Sequence, residues 1–307
     1  MGAAAVFLPR TPGGQLTLDQ FMQYVVSGVT NGSIYALVAL GFTLIYNATD
    51  IINFAQGEFV MLGGLTAVTL SRAGLPLPVA FCGAVLIVMV VGIVFEQLAI
   101  RPLLKATVLA QIIVTVGASL AFRTLAMILW GRDSLPLPAF SGETPIHIFG
   151  ARMTPQSVWV MGLTFVIVVA LQLFYRRTLA GKAVRACSVN PQAARLMGIS
   201  YSRVVLISFA VSAAISAAGG VMITPSSFMG YSSGALIGLK GFAAAILGGL
   251  GSPIGAVVGG ITLGVLESLA VGVVSAGYKD AVAFVILLAV LFVRPQGLFG
   301  EKPVEKV

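Results

Sequence analysis

Long apolar runs dominate this sequence and constrain its fold more than any motif does. Of its 307 residues, 58% are hydrophobic and only 9% are charged, whereas an average soluble domain carries about 25% charged residues. A soluble chain of this composition could not cover its surface with polar groups. The sequence therefore predicts an integral membrane protein.

The apolar runs do not alternate between apolar and polar residues, as the strands of a membrane barrel do. A helix needs roughly 20 apolar residues to cross the hydrocarbon layer. We therefore predict an all-α polytopic membrane protein with about eight or nine transmembrane helices, some of them broken or re-entrant. The apolar runs lie at about 21–46, 59–70, 79–100, 108–130, 157–174, 204–224, 236–276 and 281–293.

The loops between the runs carry unequal charge and predict the orientation. Segment 175–203 holds six basic and no acidic residues, while segment 131–155 holds two of each. The positive-inside rule places the first in the cytoplasm and the second outside, together with the N-terminus. Arg101 and Lys105 are then cytoplasmic. The tail with Arg294 is also cytoplasmic if 236–276 crosses twice, which we prefer, and outside if part of it is re-entrant.

Three regions follow: an N-terminal extension 1–20, a transmembrane domain 21–293 containing the cytoplasmic loop 175–203, and a C-terminal tail 294–307. The start of the chain lacks the pattern of a cleavable signal peptide, so the first span is expected to direct insertion. The net charge of +8 lies largely in loops. It therefore favours a role in membrane orientation over nucleic-acid binding.

Polar or turn-forming residues interrupt two apolar stretches, at 47–57 and 248–253. Unwound backbone in a membrane must line a cavity or be buried in protein, and paired breaks are typical of transporters. Two simple loops between short helices are the alternative.

Ionisable residues within or beside apolar runs are expected to pair, to face the bundle interior or to lie near an interface. Glu96 is close to Arg101 and is expected near the cytoplasmic surface. Glu58 and Glu267 are the better candidates for contacts inside the protein, either as structural ion pairs or along a translocation path. The ionisable residues of this kind are Glu58, Glu96, Arg123, Lys240 and Glu267.

Glycines spaced four residues apart form a groove on a helix where another backbone can approach closely. This groove could serve a translocation path, a partner subunit in the membrane or ordinary packing within the bundle. The glycines with this spacing are Gly251, Gly255 and Gly259, followed by Gly260 and Gly264.

Several kinds of chemistry are not expected. The sequence has no phosphate-binding G-x-x-x-x-G-K-[ST] motif, since Gly181-Lys182 is followed by Ala183. His147 is the only histidine, which argues against a catalytic triad or a histidine metal centre. Cys82 and Cys187 suggest neither a disulfide framework nor a zinc site. We therefore predict no catalytic residue, no metal, no cofactor bound by this chain and no enzyme activity.

The loop 181–203 contains signals for a short helix. Asn190 can cap a helix and Pro191 suits its first turn. The helix is predicted from Gln192 to Met197, with Gly198 ending it. Ala193 and Ala194 give it a small face that could fill a groove of a partner. The alternative is a solvated basic loop that only sets orientation.

Several motifs carry a resemblance to a known family. Gln192-Ala193-Ala194-x-x-x-Gly198 resembles the E-A-A-x-x-x-G loop of ABC importer permeases, with Gln192 in place of the family's glutamate. The segments INFAQGEFVMLGG at 52–64 and AAILGGLGSPIGAVVGG at 244–260 resemble the first permease subunit of high-affinity branched-chain amino acid importers, as do GSIYALVALGFTLIY at 32–46, YKDAVAF and VRPQGLFG.

The resemblance implies a permease in the inner membrane that pairs with a second homologous permease subunit. Two ATPase subunits that use ATP and Mg would bind the cytoplasmic loop, and an external binding protein would deliver the substrate. The docking residues would be Asn190, Pro191, Gln192, Ala193, Ala194, Arg195 and Gly198. Candidates for the translocation path are Asn53, Gln56, Glu58, Gly248, Gly249 and Gly251.

Two other functions share some of these features. A secondary transporter driven by an ion gradient would also contain broken helices and intramembrane charges. A passive channel or membrane anchor would have no need of the short cytoplasmic helix. The substrate stays open among leucine, isoleucine and valine, urea, short amides and aromatic acids, because nothing in the apolar spans discriminates between them.

Overall fold

The computed structural model describes residues 18–104, 106–142, 144–148, 151–273, 277, 279–294 and 296–300. A π-helical turn at Glu96–Ile100 and a 3-10 turn at Arg101–Leu103 extend the third helix. The helices are α1 Leu18–Thr49, α2 Gln56–Arg72, α3 Leu77–Phe95, α4 Val108–Trp130, α5 Pro155–Arg177, α6 Leu179–Val189, α7 Pro191–Leu196, α8 Tyr201–Ser227, α9 Ser233–Gly248, α10 Pro253–Val273 and α11 Lys279–Val293.

Six of the described helices are long and apolar enough to cross a membrane: α1, extended α3, α4, α5, α8 and α10. Helix α2 has 17 residues and α9 has 16, so α9 is only about 24 Å long at about 1.5 Å per residue. The hydrocarbon layer is about 30 Å thick. With α11, the described residues form nine apolar helices, and the predicted all-α polytopic fold is confirmed.

Helix α1 forms the centre of the bundle. Its residues 32–45 are buried without interruption, and it packs mainly against α8, α9 and α10. Helices α3, α4 and α5 instead expose large apolar side chains such as Leu98, Ile128 and Phe165. Exposed apolar surface of this extent fits contact with lipid. Hydropathy alone does not distinguish these outer helices, since α4 and α8 have mean hydropathies of 2.0 and 2.1 although α8, like α1, is largely buried in protein.

The predicted glycine groove packs within the bundle. A Cβ atom on Gly264 would collide with the backbone of Gly32, and one on Gly260 with the backbone of Ala36. Helix α10 therefore crosses α1 at backbone contact. Gly255 and Gly259 approach Gly248 of α9 in the same way. Of the interpretations offered by the spacing, packing within this chain accounts for these glycines.

Gly264→Ala is expected to destabilise the protein because its new methyl group has no space at the α1–α10 crossing. Overpacking of this kind costs about 1–3 kcal/mol. Gly117→Ala in α4 is the matched control, since nothing lies within 4 Å of a Cβ at Gly117. Reversible unfolding by SDS in mixed micelles measures both variants. Equal free energies of unfolding would show that the crossing tolerates a side chain.

The two ends of α1 identify the two faces of the bundle. Near its start, Gln23 bonds with the backbone of Arg152, in a hairpin of β1 Ile146–Ile148 and β2 Ala151–Met153. Near its end, the Asn47 side chain donates to the Gly251 carbonyl at 2.9 Å and lies beside the Tyr175 phenol. The hairpin thus lies at the end opposite the basic loop, as the charge pattern predicts.

The C-terminal tail lies at the same face of the bundle as the basic loop. The amides of Leu298 and Phe299 donate to the carbonyls of Leu247 and Gly248 at 2.9 Å, beside the Gly251 turn that Asn47 contacts. This placement agrees with the preferred cytoplasmic tail. Residues 1–17 of the predicted extension, residues 301–307 of the tail, Lys105 and Glu143 lie outside the described residues.

Candidate functional site

The predicted short helix in the basic loop is α7. The Asn190 side-chain oxygen accepts hydrogen bonds from the amides of Gln192 and Ala193, both at 3.0 Å. Pro191 begins the helix, and Gly198 follows it with a positive φ of 83°. The bounds differ by one residue from the predicted 192–197. The capping residues, the fixed φ of proline and the left-handed glycine explain why this helix could be predicted locally.

Helix α6, which precedes it, was not predicted. Thr178 caps α6 by accepting from the Gly181 amide at 2.9 Å, and Val184 and Cys187 are buried three residues apart. The threonine cap and this spacing were the available signals. Burial raises the pKa of the Cys187 thiol, which keeps it protonated and makes it a packing residue.

Helices α6 and α7 together form a knob, residues 179–198, that is tied to two spans. The Arg185 guanidinium donates to the Tyr175 carbonyl of α5 at 2.6 Å. The Arg195 guanidinium stacks over the Tyr201 ring at the start of α8, 4.5 Å from its centroid. Ala194 is only 4% exposed, so one alanine of the predicted small face packs inward, while Ala193 faces outward.

Two large apolar side chains at the end of α7 are left uncovered by the described residues. Leu196 is 90% exposed and Met197 is 83% exposed. Both belong to the loop between α5 and α8 rather than to a membrane span. Both residues lie at the C-terminal end of the capped helix α7, so their position on the knob is defined. These two residues were not singled out by the sequence pattern, which pointed to the alanines.

The first predicted break is a bonded turn before α2. Asn53 accepts from the Ala55 amide at 3.1 Å. The Gln56 amide group donates to the Ser216 hydroxyl at 2.6 Å and accepts from the Ser212 hydroxyl at 3.0 Å. All of these side chains are buried. The break therefore joins α2 to α8, and neither Asn53 nor Gln56 lines the cavity beside Arg123 of α4.

Glu58 lies in the first turn of α2 and is 1% exposed. Its carboxylate accepts from the Ser119 hydroxyl at 2.8 Å and pairs with Arg123 at 3.3 Å. Both partners lie on α4. On the other side, the carboxylate lies against Gly234 in the first turn of α9. The first turns of α2 and α9 thus meet at an ion pair.

The second predicted break is the α9–α10 turn. Gly249 and Gly251 have φ values of 101° and 96°, which favour glycine. Gly249 packs on Gly300 and Gly248 packs on Gly255. The structure does not bring these glycines together with Glu58, so the predicted path residues form two separate groups. Their role in translocation stays a prediction.

Glu267 belongs to a second charged group, between α9, α10 and α11. Lys240 pairs with Glu267 at 2.7 Å and with Asp280 at 2.6 Å, while Lys279 approaches Glu267 at 3.4 Å. The Tyr35 hydroxyl of α1 lies beside Glu267. Of the two readings for Glu267, the structure shows the ion pair. Glu96, in contrast, is buried, and within the part of the chain that the structure describes neither of its carboxylate oxygens accepts a hydrogen bond.

A cavity lies between α1, α4, α9 and the turn before α2. Its volume is about 220 Å³. Phe42, Phe54 and Phe242 form part of its wall, and Ser119 and Arg123 supply its polar groups. The sequence pointed to Arg123 only as a charge inside an apolar run. Its position beside Glu58 depends on the packing of α4 on α2, which no local pattern reveals.

The family of permease components of branched-chain amino acid transport systems matches residues 24–291. The chain belongs to this family. As a member, the permease is a multi-pass protein of the inner membrane and the permease component of an ABC transport system for branched-chain amino acids.

Relatives of the permease match it over most of their length. It is 35% identical to the high-affinity branched-chain amino acid permease LivH of Salmonella typhimurium, over 94% of this chain and 98% of the relative. It is 32% identical to BraD of Pseudomonas aeruginosa, with the same coverage. The solved structure of PsaBC from Streptococcus pneumoniae shares the fold at a TM-score of 0.52 and 14% identity, covering 92% of the permease and 94% of that chain.

Proposed function

We propose that the permease is the membrane half of an ATP-driven importer of branched-chain amino acids. A second homologous permease subunit completes the path across the membrane. Two ATPase subunits dock on the cytoplasmic knob and hydrolyse ATP with Mg, and an external binding protein delivers the substrate. The observation that carries this proposal is the rigid knob with its exposed Leu196 and Met197.

The knob is better suited to docking than to orientation alone. Orientation requires only basic charge, whereas large apolar side chains exposed outside the bilayer favour a protein interface. The Arg185 and Arg195 contacts fix α6 and α7 to α5 and α8. A partner that moves the knob therefore moves two spans directly.

Hydrogen bonds and side-chain contacts connect α5 and α8 to the two breaks. Ser212 and Ser216 of α8 hold Gln56 at the start of α2. Tyr175 of α5 lies beside Asn47, which bonds to the α9–α10 turn. If ATP binding by the ATPases stabilises one knob position, the breaks shift with it. This is a population shift driven by differential contacts in two states.

The substrate follows from the relatives, whose names specify branched-chain amino acids. A gradient-driven transporter would contain similar ion pairs inside the bundle, so those pairs do not separate the two functions. The knob does, because a transporter working alone has no partner to dock there. A passive channel or a membrane anchor likewise would not need the knob.

Reconstitution tests the proposal directly. Proteoliposomes containing the permease, its second permease and the ATPases, supplied with binding protein, are expected to accumulate radiolabelled leucine only when ATP is enclosed. Proteoliposomes with the permease alone are expected to show no uptake under a sodium or proton gradient. Gradient-driven uptake by the permease alone, or ATP-independent leucine flux in the complete assembly, would overturn the proposal.

A further inference from the structure

We propose that the cavity between α4 and α9 is a binding site for a zwitterionic aliphatic amino acid, with Arg123 as the ligand of its carboxylate. The site lies on this subunit and is additional to any site on a binding protein. The inference rests on the proposed function and names where the solute pauses during transport.

The size and lining of the cavity fit a small aliphatic solute. Its volume of about 220 Å³ is below the roughly 300–1,000 Å³ of sites for drug-sized ligands. Most of the wall is apolar, and polar groups occur on one side only. The apolar lining residues are Phe42, Phe54, Val116, Leu120, Ala235, Gly238, Leu239 and Phe242. A branched aliphatic side chain would bury its surface against these groups.

Arg123 retains donors for a ligand. A guanidinium carries five N–H groups in a planar fork that matches a carboxylate. Its Nη2 donates to Glu58, and its Nε is buried with no hydrogen-bond partner among the described residues. The side chain is 31% exposed and lines the cavity. Because Nε is closed off from the cavity, a solute carboxylate would bond to the accessible part of the guanidinium.

The charge of the site also favours a zwitterion. Glu58 and Arg123 cancel each other, so the empty site is neutral, and a zwitterion leaves it neutral when it binds. Glu58 has one oxygen, Oε2, without a hydrogen bond, and its negative charge would favour an ammonium group placed near Ser119. A solute with a single charge would leave net charge in a mostly apolar cavity, which is unfavourable.

The position of the cavity connects binding to the two short helices. Glu58 belongs to the first turn of α2 and contacts Gly234 in the first turn of α9. Ala235 and Gly238 of α9 line the cavity, and Gly238 contacts Gly57. A carboxylate bound to Arg123 would compete with Glu58 for the same guanidinium. Occupancy would therefore loosen the contact between α4, α2 and α9.

Thiol protection in the complete transporter tests the site. Leu120→Cys lies in the cavity wall, and Leu129→Cys, also at an exposed position of α4, is a control outside it. Both are built with Cys82→Ser and Cys187→Ser and assembled with the partner subunits in nanodiscs. L-leucine at about ten times its dissociation constant is expected to slow maleimide labelling of Leu120→Cys about tenfold, without changing Leu129→Cys.

Analogues and variants separate the parts of the argument. 4-Methylpentanoate, which keeps the carboxylate, is expected to protect weakly, and 3-methylbutylamine, which lacks it, is expected not to protect. Arg123→Lys keeps the pairing charge of Glu58 but loses the fork, and should remove protection. Val116→Trp fills the cavity from an exposed position and should lower protection by leucine more than protection by alanine.

Two results would overturn the site: no protection of Leu120→Cys by leucine, or full protection in Arg123→Lys. If leucine uptake in the parent assembly is nevertheless ATP-driven, the proposed function survives and only the cavity assignment fails. Uptake that does not need ATP would instead contradict the proposed function. ATPase activity of the assembled Arg123→Lys transporter checks that this variant is folded and complete.

Discussion

Replacing Leu196 and Met197 together with aspartate is expected to abolish ATP-driven leucine uptake while leaving membrane insertion intact. Both side chains are almost fully exposed, so their loss removes no packing within this chain. At an interface, one central apolar anchor contributes about 2 kcal/mol or more, about a thirtyfold change in affinity. Co-purification of the ATPases and uptake into proteoliposomes measure the effect.

Leu179→Asp provides the matched control. Leu179 is also exposed and belongs to the knob, but it lies at the start of α6, far along the chain from α7. This variant should retain the ATPases and most of the uptake. Normal uptake by the Leu196/Met197 double variant would show that α7 does not dock the ATPases, and the proposed function would lose its main support.

Gly198→Trp and Ala194→Asp test the same helix at the residue that ends it and at the residue that packs it against the rest of the protein. Gly198 adopts a positive φ that a tryptophan reaches only with strain, and nothing lies within 4 Å of its Cβ position. Ala194 is buried, so an aspartate there displaces α7 from its support. Both changes should reduce uptake with normal insertion, in agreement with the direct variant at the tip.

The sequence predicted those features that depend on local chemistry. Hydropathy located the spans because each long helix must itself be apolar. The charge of loop 175–203 predicted its side, and Asn190, Pro191 and Gly198 predicted α7 to within one residue. Capping and turn preferences act over a few residues, so a single sequence contains them completely.

Features that depend on tertiary packing could not be predicted in this way. The sequence marked Glu58, Arg123, Lys240 and Glu267 as unusual, but it did not reveal which of them pair. Those pairs join residues 27 to 65 positions apart. The contact between Gly264 and Gly32 could not be predicted for the same reason, since spacing alone predicts a groove and not which helix packs into it. The cavity was missed because its wall combines four separate segments: α1, the turn before α2, α4 and α9.

Lys240→Met is expected to cause the largest loss of stability among single changes in the bundle. Lys240 is the shared partner of Glu267 and Asp280, so its removal leaves two carboxylates competing for Lys279. Glu267 is 1% exposed, and breaking a buried pair by removing one partner costs about 3–5 kcal/mol. The free energy of unfolding in SDS mixed micelles measures the loss.

Two further variants show whether charge pairing is the cause. Lys279→Met removes a longer and more exposed contact, 3.4 Å with a side chain 38% exposed, so it should cost no more than about 1 kcal/mol. Adding Glu267→Gln to Lys240→Met should recover part of the lost stability, because the uncompensated carboxylate is then gone. If the double variant is no more stable than Lys240→Met, the cost arises from the lost contact of the Lys240 ammonium with the Tyr35 ring, 5.6 Å from its centroid, and not from an uncompensated carboxylate. In that case packing and not charge pairing holds the charged group between α9, α10 and α11 together, and Glu267 is available for a role in transport.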